Sequence, residues 1–146
     1  MQDIMKKEGD SPKEKWAVIA FTDGARLPWL KLLKPGFRHC LVSVCDGVHW
    51  LTVDPMLHKT EVAVQPVAAS FDLAAWYRDL GFVVVETALF SPPLKSAPLG
   101  IFSCVEAVKR ILGIHARLVV TPWQLYNFLQ KTKNRKIVLD NWARLG

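Results

Sequence analysis

Cys104 is the residue of this 146-residue chain whose position best suits nucleophilic chemistry. It lies in Ser103-Cys-Val-Glu106, a capping-box pattern that makes Ser103 the N-cap and Cys104 the first residue of a helix. A thiol at that position lies at the positive end of the helix dipole, which favours the reactive thiolate. The backbone N–H of Cys104 has no partner within the helix, so it could also stabilise an oxyanion beside the sulfur. Position alone leaves open the other common role of a free cysteine, a small buried hydrophobic residue.

His39 and Asp54 are the residues that could activate this thiol. A cysteine nucleophile needs an imidazole to accept its proton and a third group to orient that imidazole. Two strand-like runs, 39–45 and 48–54, are separated by Asp46-Gly47, which is a strong signal for a hairpin with a two-residue turn. Counting outward from that turn places His39 directly opposite Asp54 on one sheet face. A purely structural pair at the sheet edge would have the same pattern.

The remaining cysteines and histidines suit such a triad less well. The side chain of Cys40 alternates away from the face of His39, and that of His49 alternates away from the face of Asp54. Cys45 shares the face of His39 but lies six residues along the strand, on the order of 20 Å away. His58 and His115 have no predicted partner. A zinc site built from His39, Cys40, Cys45 and Cys104 lacks the usual ligand spacing, so neither a metal nor another cofactor is predicted.

The elements that must position these residues form an α+β pattern. The turn signals and apolar runs predict five strands, at 16–21, 39–45, 48–54, 61–65 and 82–87, with a short strand or an extended link at 115–120. Helices are predicted at 28–33, at 71–80 with Ser70 as N-cap, at 104–112, and from a second capping box, Thr121-Pro-Trp-Gln124, to about 131. The expected architecture is a small antiparallel sheet packed against the helix that carries Cys104.

Length and composition favour one domain. We expect a flexible arm at 1–15 and a single domain at 16–146, since 51% of the residues are apolar and 22% are charged. The polar N-terminal segment does not resemble a signal peptide, and no apolar run is long enough to span a membrane. Three cysteines are too few for a disulfide framework, which favours a reducing compartment. The expected location is cytoplasmic or associated with a phage particle, without integral membrane contact.

A basic run near the C-terminus, Lys131-Thr-Lys-Asn-Arg-Lys136, contributes to the net charge of +6 and predicts a basic C-terminal tail. Such a run could bind an anionic polymer, although a solvated helix end has the same composition. No aromatic residues interleave with it as a base-stacking platform would require. The sequence leaves the oligomeric state open.

The order of these motifs resembles the circularly permuted papain-like cysteine hydrolases, relatives of the NlpC-type peptidases that include the lecithin retinol acyltransferase group. Phe37-Arg-His39-Cys resembles the histidine strand of that family, Val53-Asp54-Pro the strand of the third residue, and Phe102-Ser-Cys104-Val-Glu the nucleophile helix. In unpermuted members the cysteine helix precedes the histidine strand. The acyltransferase group commonly has a second histidine and an Asn-Cys-Glu-like motif, from which this chain departs.

The resemblance implies a permuted papain-like fold with Cys104 as nucleophile, His39 as general base and then acid, and Asp54 as the orienting group. The substrate would be a peptide, amide or ester, and the reaction would pass through a thioester. Trp50 and Trp123 could line an apolar substrate cleft, although a buried core position is the more common role for both. Two alternatives stay open: a catalytically silent binding or phage assembly module with the same fold, and a lipid acyltransferase.

Overall fold

The computed structural model describes residues 16–24, 31–56, 58–90 and 101–145, with the side chains of 136–145 excepted. These ranges contain five strands and three α-helices, so the α+β prediction is confirmed. The strands are β1 (Trp16–Thr22), β2 (His39–Cys45), β3 (Trp50–Pro55), β4 (Thr60–Gln65) and β5 (Val83–Ala88). The helices are α1 (Leu73–Asp79), α2 (Cys104–Leu112) and α3 (Pro122–Leu145).

The five strands form one antiparallel sheet in the order β4-β3-β2-β1-β5. The central strand β2 and its neighbour β1 are mostly apolar and are buried on both faces, and helices cover each face of the sheet. On one face, Leu41 and Trp50 pack with Leu73 and Tyr77 of α1. The other face packs against α2 and α3 through a larger cluster: Ala17, Ile19, Phe21, Phe37, Cys40, Val42, Val85, Val105, Val108, Leu112, Ile114, Leu125 and Leu129. Neighbouring residues of β2 therefore belong to different cores.

The turn between β2 and β3 differs from the predicted one. Cys45 pairs with Trp50 rather than with Val48, so the predicted register is wrong by two positions on β3. The two-residue loop is Gly47-Val48, with Gly47 at φ +95° and the N–H of Asp46 bonded to the carbonyl of His49. The Asp46 carboxylate accepts hydrogen bonds from the N–H groups of Val48 and His49, which places Asp46 before the loop instead of within it.

Helix α1 begins later than predicted. Asp72, not Ser70, is its N-cap, because the Asp72 carboxylate accepts a hydrogen bond from the N–H of Ala75 at 2.8 Å. The predicted C-terminal stop is confirmed at Gly81, which has φ +87° and donates its N–H to the carbonyl of Arg78.

Helix α3 is longer than predicted and contains the basic run. Its capping box is complete: Gln124 N–H bonds to Thr121 Oγ1, and the Gln124 side chain accepts from the N–H of Thr121. No glycine or proline occurs after Pro122 until Gly146, so nothing in the sequence ends the helix near residue 131. The basic residues 131–136 therefore lie within a helix and do not form a separate tail. The link at 115–120 contains a turn instead of a strand.

Two sequence predictions, the arm at 1–15 and the first half of the helix at 28–33, lie outside the described residues. In the second half, residues 31–32 form a 3₁₀ turn instead of an α-helix. Among the residues that the structure does describe, no helix combines the length and the apolarity needed to cross a membrane.

Candidate active site

His39 and Asp54 are in direct contact at one end of the sheet. The Nε2 atom of His39 lies 2.6 Å from Oδ1 of Asp54, and the two side chains are 15% and 27% exposed. Extending the observed register would place Leu41, not His39, opposite Asp54, so the pair is a diagonal one. Diagonal neighbours on one face of antiparallel strands lie within reach of long side chains. The register error leaves the contact intact, because a shift of two positions keeps both residues on the same face.

Cys104 is the first residue of α2, as the capping signal predicted. The Ser103 hydroxyl accepts a hydrogen bond from the N–H of Glu106 at 3.2 Å. The Glu106 carboxylate does not complete a capping box; it binds Lys109 and Arg110 within the helix. The Nζ atom of Lys109, which is buried, also donates to the carbonyl of Ala116. These contacts stabilise the helix that presents Cys104 to the sheet.

The Cys104 side chain is half-buried and packs against the core that contains Cys40 of β2. A hydrogen bond from the Cys40 side chain lowers the pKa of Cys104, whereas burial of the thiol raises it. Hydrogen bonds from His39 and from the Cys40 backbone also lower this pKa, and the result is a pKa of about 5. The pKa of the Cys40 thiol is raised well above its usual value by the same contact and by its burial. At neutral pH this arrangement favours a Cys104 thiolate next to a Cys40 thiol.

His39 carries the complementary charge. Burial lowers the pKa of its imidazole, but hydrogen bonds to Asp54 and Cys104, together with the charges of both partners, raise it to about 9. Because Nε2 faces Asp54, Nδ1 is the ring nitrogen left for the sulfur. Both pKa shifts favour an imidazolium beside a thiolate, with the Asp54 carboxylate on the other side of the imidazole.

Cys40 is the site residue that the sequence interpretation missed. Its side chain alternates away from the face of His39, as predicted, but this orientation directs it into the core formed with α2. Cys104 packs against that same core from the first turn of α2. The sequence did contain a signal for this contact. The capped helix begins at Cys104, and a helix that packs on the sheet face of Cys40 places Cys104 on that same face.

Trp123 belongs to an aromatic cluster beside the segment that leads into β2. Its ring centroid lies 4.8 Å from that of Phe37 and 5.5 Å from that of Tyr126, and the Lys34 ammonium lies 3.2 Å from the Trp123 centroid. Phe37 precedes His39 by two residues and also packs against Phe21 of β1. The cluster therefore fixes the backbone just before His39, and Trp123 lies on the sheet face of Cys104.

Trp50 lies away from the triad. It is four residues from Asp54 on β3, about 13 Å along the strand, and it is buried against α1. Together with Trp16, Cys45 and Phe71, it lines a separate cleft of about 350 Å³ near the β2–β3 turn. The structure does not bring Trp50 to Cys104.

Two apolar side chains next to Cys104 are open to solvent. Ile101 is 92% exposed and Phe102 is 62% exposed, although they precede Cys104 by only three and two residues. An apolar group bound beside the sulfur would cover surface of this kind, and this would be favourable by the hydrophobic effect.

The other histidines have no part in the cluster. His49 is exposed and lies 3.7 Å from Asp46 at the β2–β3 turn, His58 is exposed in the β3–β4 loop, and His115 lies in the link after α2. In the part of the chain that is described, no group of three or more histidine, cysteine or acidic side chains is arranged to hold a metal ion.

No family model matches the chain, and neither the curated proteins nor the solved structures provide a significant match.

Proposed function

We propose that the protein is a cysteine hydrolase of amide or ester bonds with a circularly permuted papain-like fold. The observation that carries this proposal is the position of His39, which lies 2.6 Å from Asp54 and close enough to Cys104 for each of the two groups to shift the pKa of the other. The strand–strand–helix order of these residues is the order expected of the permuted papain-like group. Cys104 is the proposed nucleophile, His39 the acid and base, and Asp54 the orienting residue.

The reaction begins with attack of the Cys104 thiolate on the substrate carbonyl carbon. The oxyanion that forms accepts a hydrogen bond from the backbone N–H of Cys104, a first-turn donor without a carbonyl partner in the helix. His39 gives its proton to the leaving amine or alcohol, and a thioester on Cys104 remains. Neutral His39 then takes a proton from water, and the resulting hydroxide releases the acid and restores the thiolate.

The rate of iodoacetamide alkylation at Cys104 as a function of pH tests the proposal, with site-resolved mass spectrometry as the readout. We expect a midpoint near pH 5 for the wild-type protein, because alkylation follows the thiolate. In His39→Ala the midpoint should rise toward the ordinary value. Incubation with an activated ester should also leave an acyl group on Cys104.

Cys45→Ala is the matched control, because Cys45 is a buried cysteine of the same strand that faces the α1 core. It should leave the alkylation profile of Cys104 unchanged. An ordinary thiol midpoint near pH 8.5 in the wild-type protein would contradict the proposal.

A second candidate is acyl transfer from a lipid, which the exposure of Ile101 and Phe102 beside Cys104 favours. An apolar acyl chain would cover both side chains while its carbonyl approached the sulfur. The partition of the acyl-enzyme between water and an added amine or alcohol distinguishes transfer from hydrolysis. Replacement of both residues by serine should weaken long-chain substrates more than short-chain ones.

A third candidate is a binding module without catalytic activity. It would bind an anionic partner through the exposed cations of α3, which are Lys131, Lys133 and Arg135. Lys131 and Arg135 share one helix face, whereas Lys133 lies on another, so the three do not form a single stripe. Ordinary Cys104 reactivity combined with salt-sensitive retention of nucleic acid would favour this module.

A further inference from the structure

Cys40 and Cys104 form a pair of adjacent thiols with unequal environments. Cys104, in the first turn of α2, packs against the core to which Cys40 of β2 belongs, and the interaction of the two thiols raises the pKa of Cys40 and lowers that of Cys104. Cys40 is completely buried, whereas Cys104 is partly open to solvent. A small oxidant from solution would therefore meet Cys104 first.

Cys45 differs from Cys40 although both lie on β2. Cys45 belongs to the α1 core, and Cys40 belongs to the α2 and α3 core against which Cys104 packs. The strand thus places a single cysteine next to the reactive thiol. The proposed hydrolysis makes no use of the sulfur of Cys40 as a reactant.

We propose that Cys40 is a resolving cysteine that converts oxidised Cys104 into a reversible Cys40–Cys104 disulfide. The oxidant is a peroxide. The Cys104 thiolate attacks one oxygen of hydrogen peroxide, the O–O bond breaks, and a sulfenic acid forms while hydroxide leaves and takes a proton. The Cys40 sulfur then attacks the Cys104 sulfur, the S–O bond breaks, and the Cys40 proton leaves with the hydroxyl group as water.

The disulfide would protect the nucleophile. A sulfenic acid that finds no thiol is oxidised further to a sulfinic acid, which thiol reductants do not reverse, whereas a disulfide is reduced by them. Disulfides in reducing compartments are usually transient and redox-sensing. The inference rests on the thiolate character of Cys104 in the proposed function, but it does not require that any substrate be hydrolysed.

Mass spectrometry of the Cys45→Ala protein after treatment with hydrogen peroxide tests the proposal. This variant is needed because no lysine or arginine separates Cys40 from Cys45, so trypsin leaves them in one peptide. We expect a cross-linked species between the peptides of Cys40 and Cys104, loss of both remaining alkylatable thiols, and full recovery of both after dithiothreitol. In the wild-type protein two of the three thiols should be lost.

Cys40→Ala provides the second measurement. In this variant peroxide should convert Cys104 mainly to sulfinic acid, and dithiothreitol should not restore its alkylation. The proposal is overturned if Cys104 of the Cys45→Ala protein reaches sulfinic acid while Cys40 stays fully alkylatable. Disulfide formation without acylation by an activated ester would contradict the hydrolase alone, and acylation without a disulfide would contradict the resolving role alone.

Discussion

The imidazole of His39 contacts the carboxylate of Asp54 at 2.6 Å across two strands in which the residues are not opposite each other. The contact uses Nε2, which fixes the orientation of the ring and leaves Nδ1 for the thiol. Asp54 comes from the end of β3 next to Pro55, where the ladder with β2 has already ended. The geometry of the candidate site thus depends on a diagonal pair of residues that lies just beyond the end of the β2–β3 ladder.

Removal of the Asp54 carboxylate should lower the pKa of His39 below about 9 and slow hydrolysis. Asp54→Ala removes both the hydrogen bond and the charge, and we expect a loss of about 10²-fold in rate, typical of impaired acid–base catalysis. Asp54→Asn keeps an acceptor oxygen, so its rate of hydrolysis should lie between those of Asp54→Ala and the wild type. NMR titration of the imidazole measures the pKa, and Asp46→Asn, which alters the exposed His49 pair, is the control.

The charges of His39 and Cys104 should make the free energy of unfolding rise with pH only between about pH 5 and 6.5. The pKa of His39 is raised from 6.5 to about 9, so its contribution is complete below pH 6.5 and is lost as the pH rises through 9. The pKa of Cys104 is lowered from 9.0 to about 5, so its contribution is complete above pH 9 and is lost as the pH falls through 5. Between 6.5 and 9 the two effects cancel, because the folded and unfolded chains bind equal numbers of protons.

Cys104→Ser separates the two contributions. Without the thiolate, Cys104 no longer contributes the rise in stability between pH 5 and 6.5, and only Asp54 is left to raise the pKa of His39. The free energy of unfolding of the variant should therefore lack that rise, which in the wild type is at most about 1.4 kcal/mol per pH unit. Urea denaturation of both proteins across this range measures the difference, in which unrelated titrating groups cancel. Parallel curves for the two proteins would show that the pair is not charged.

Loss of the helix cap should weaken α2 and, with it, the placement of Cys104. Ser103→Ala removes the acceptor of the Glu106 N–H, and we expect a loss of about 1 kcal/mol in the free energy of unfolding. Ser103→Thr keeps the hydroxyl and should retain most of the stability. Thermal denaturation compares them, and equal stability of the alanine and threonine variants would argue against the capping role.

Trp123 should affect Cys104 reactivity through packing, whereas Trp50 should not. Trp123→Ala removes the edge contact with Phe37 and should cost about 2 kcal/mol for a partly buried ring. Because Phe37 fixes the chain before His39, alkylation of Cys104 should also slow. Trp50→Phe preserves a ring in the distant α1 core and should leave the alkylation profile unchanged, so an equal effect of both substitutions would contradict the placement.

Local signals predicted the elements that carry the site with good accuracy. The span of β2, His39–Cys45, matches the apolar run bounded by turns, and the start of α2 at Cys104 follows from a serine N-cap. Both features depend on hydrogen bonds and periodicity within a few residues. The later start of α1 shows the limit of such signals, because Ser70 and Asp72 are both good N-caps and only the observed structure distinguishes them.

The sequence by itself determined which residue types lie at which element boundaries, and it placed His39 and Asp54 on one sheet face, since face alternation depends only on parity along the strands. The tertiary structure decided the rest. The hydrogen bonds of the Asp46 side chain fix the β2–β3 turn and therefore the register of these two strands. The packing of α2 on the sheet brings Cys104 to the core that contains Cys40. Contacts between segments more than sixty residues apart depend on how whole faces fit together, and no local pattern encodes that fit.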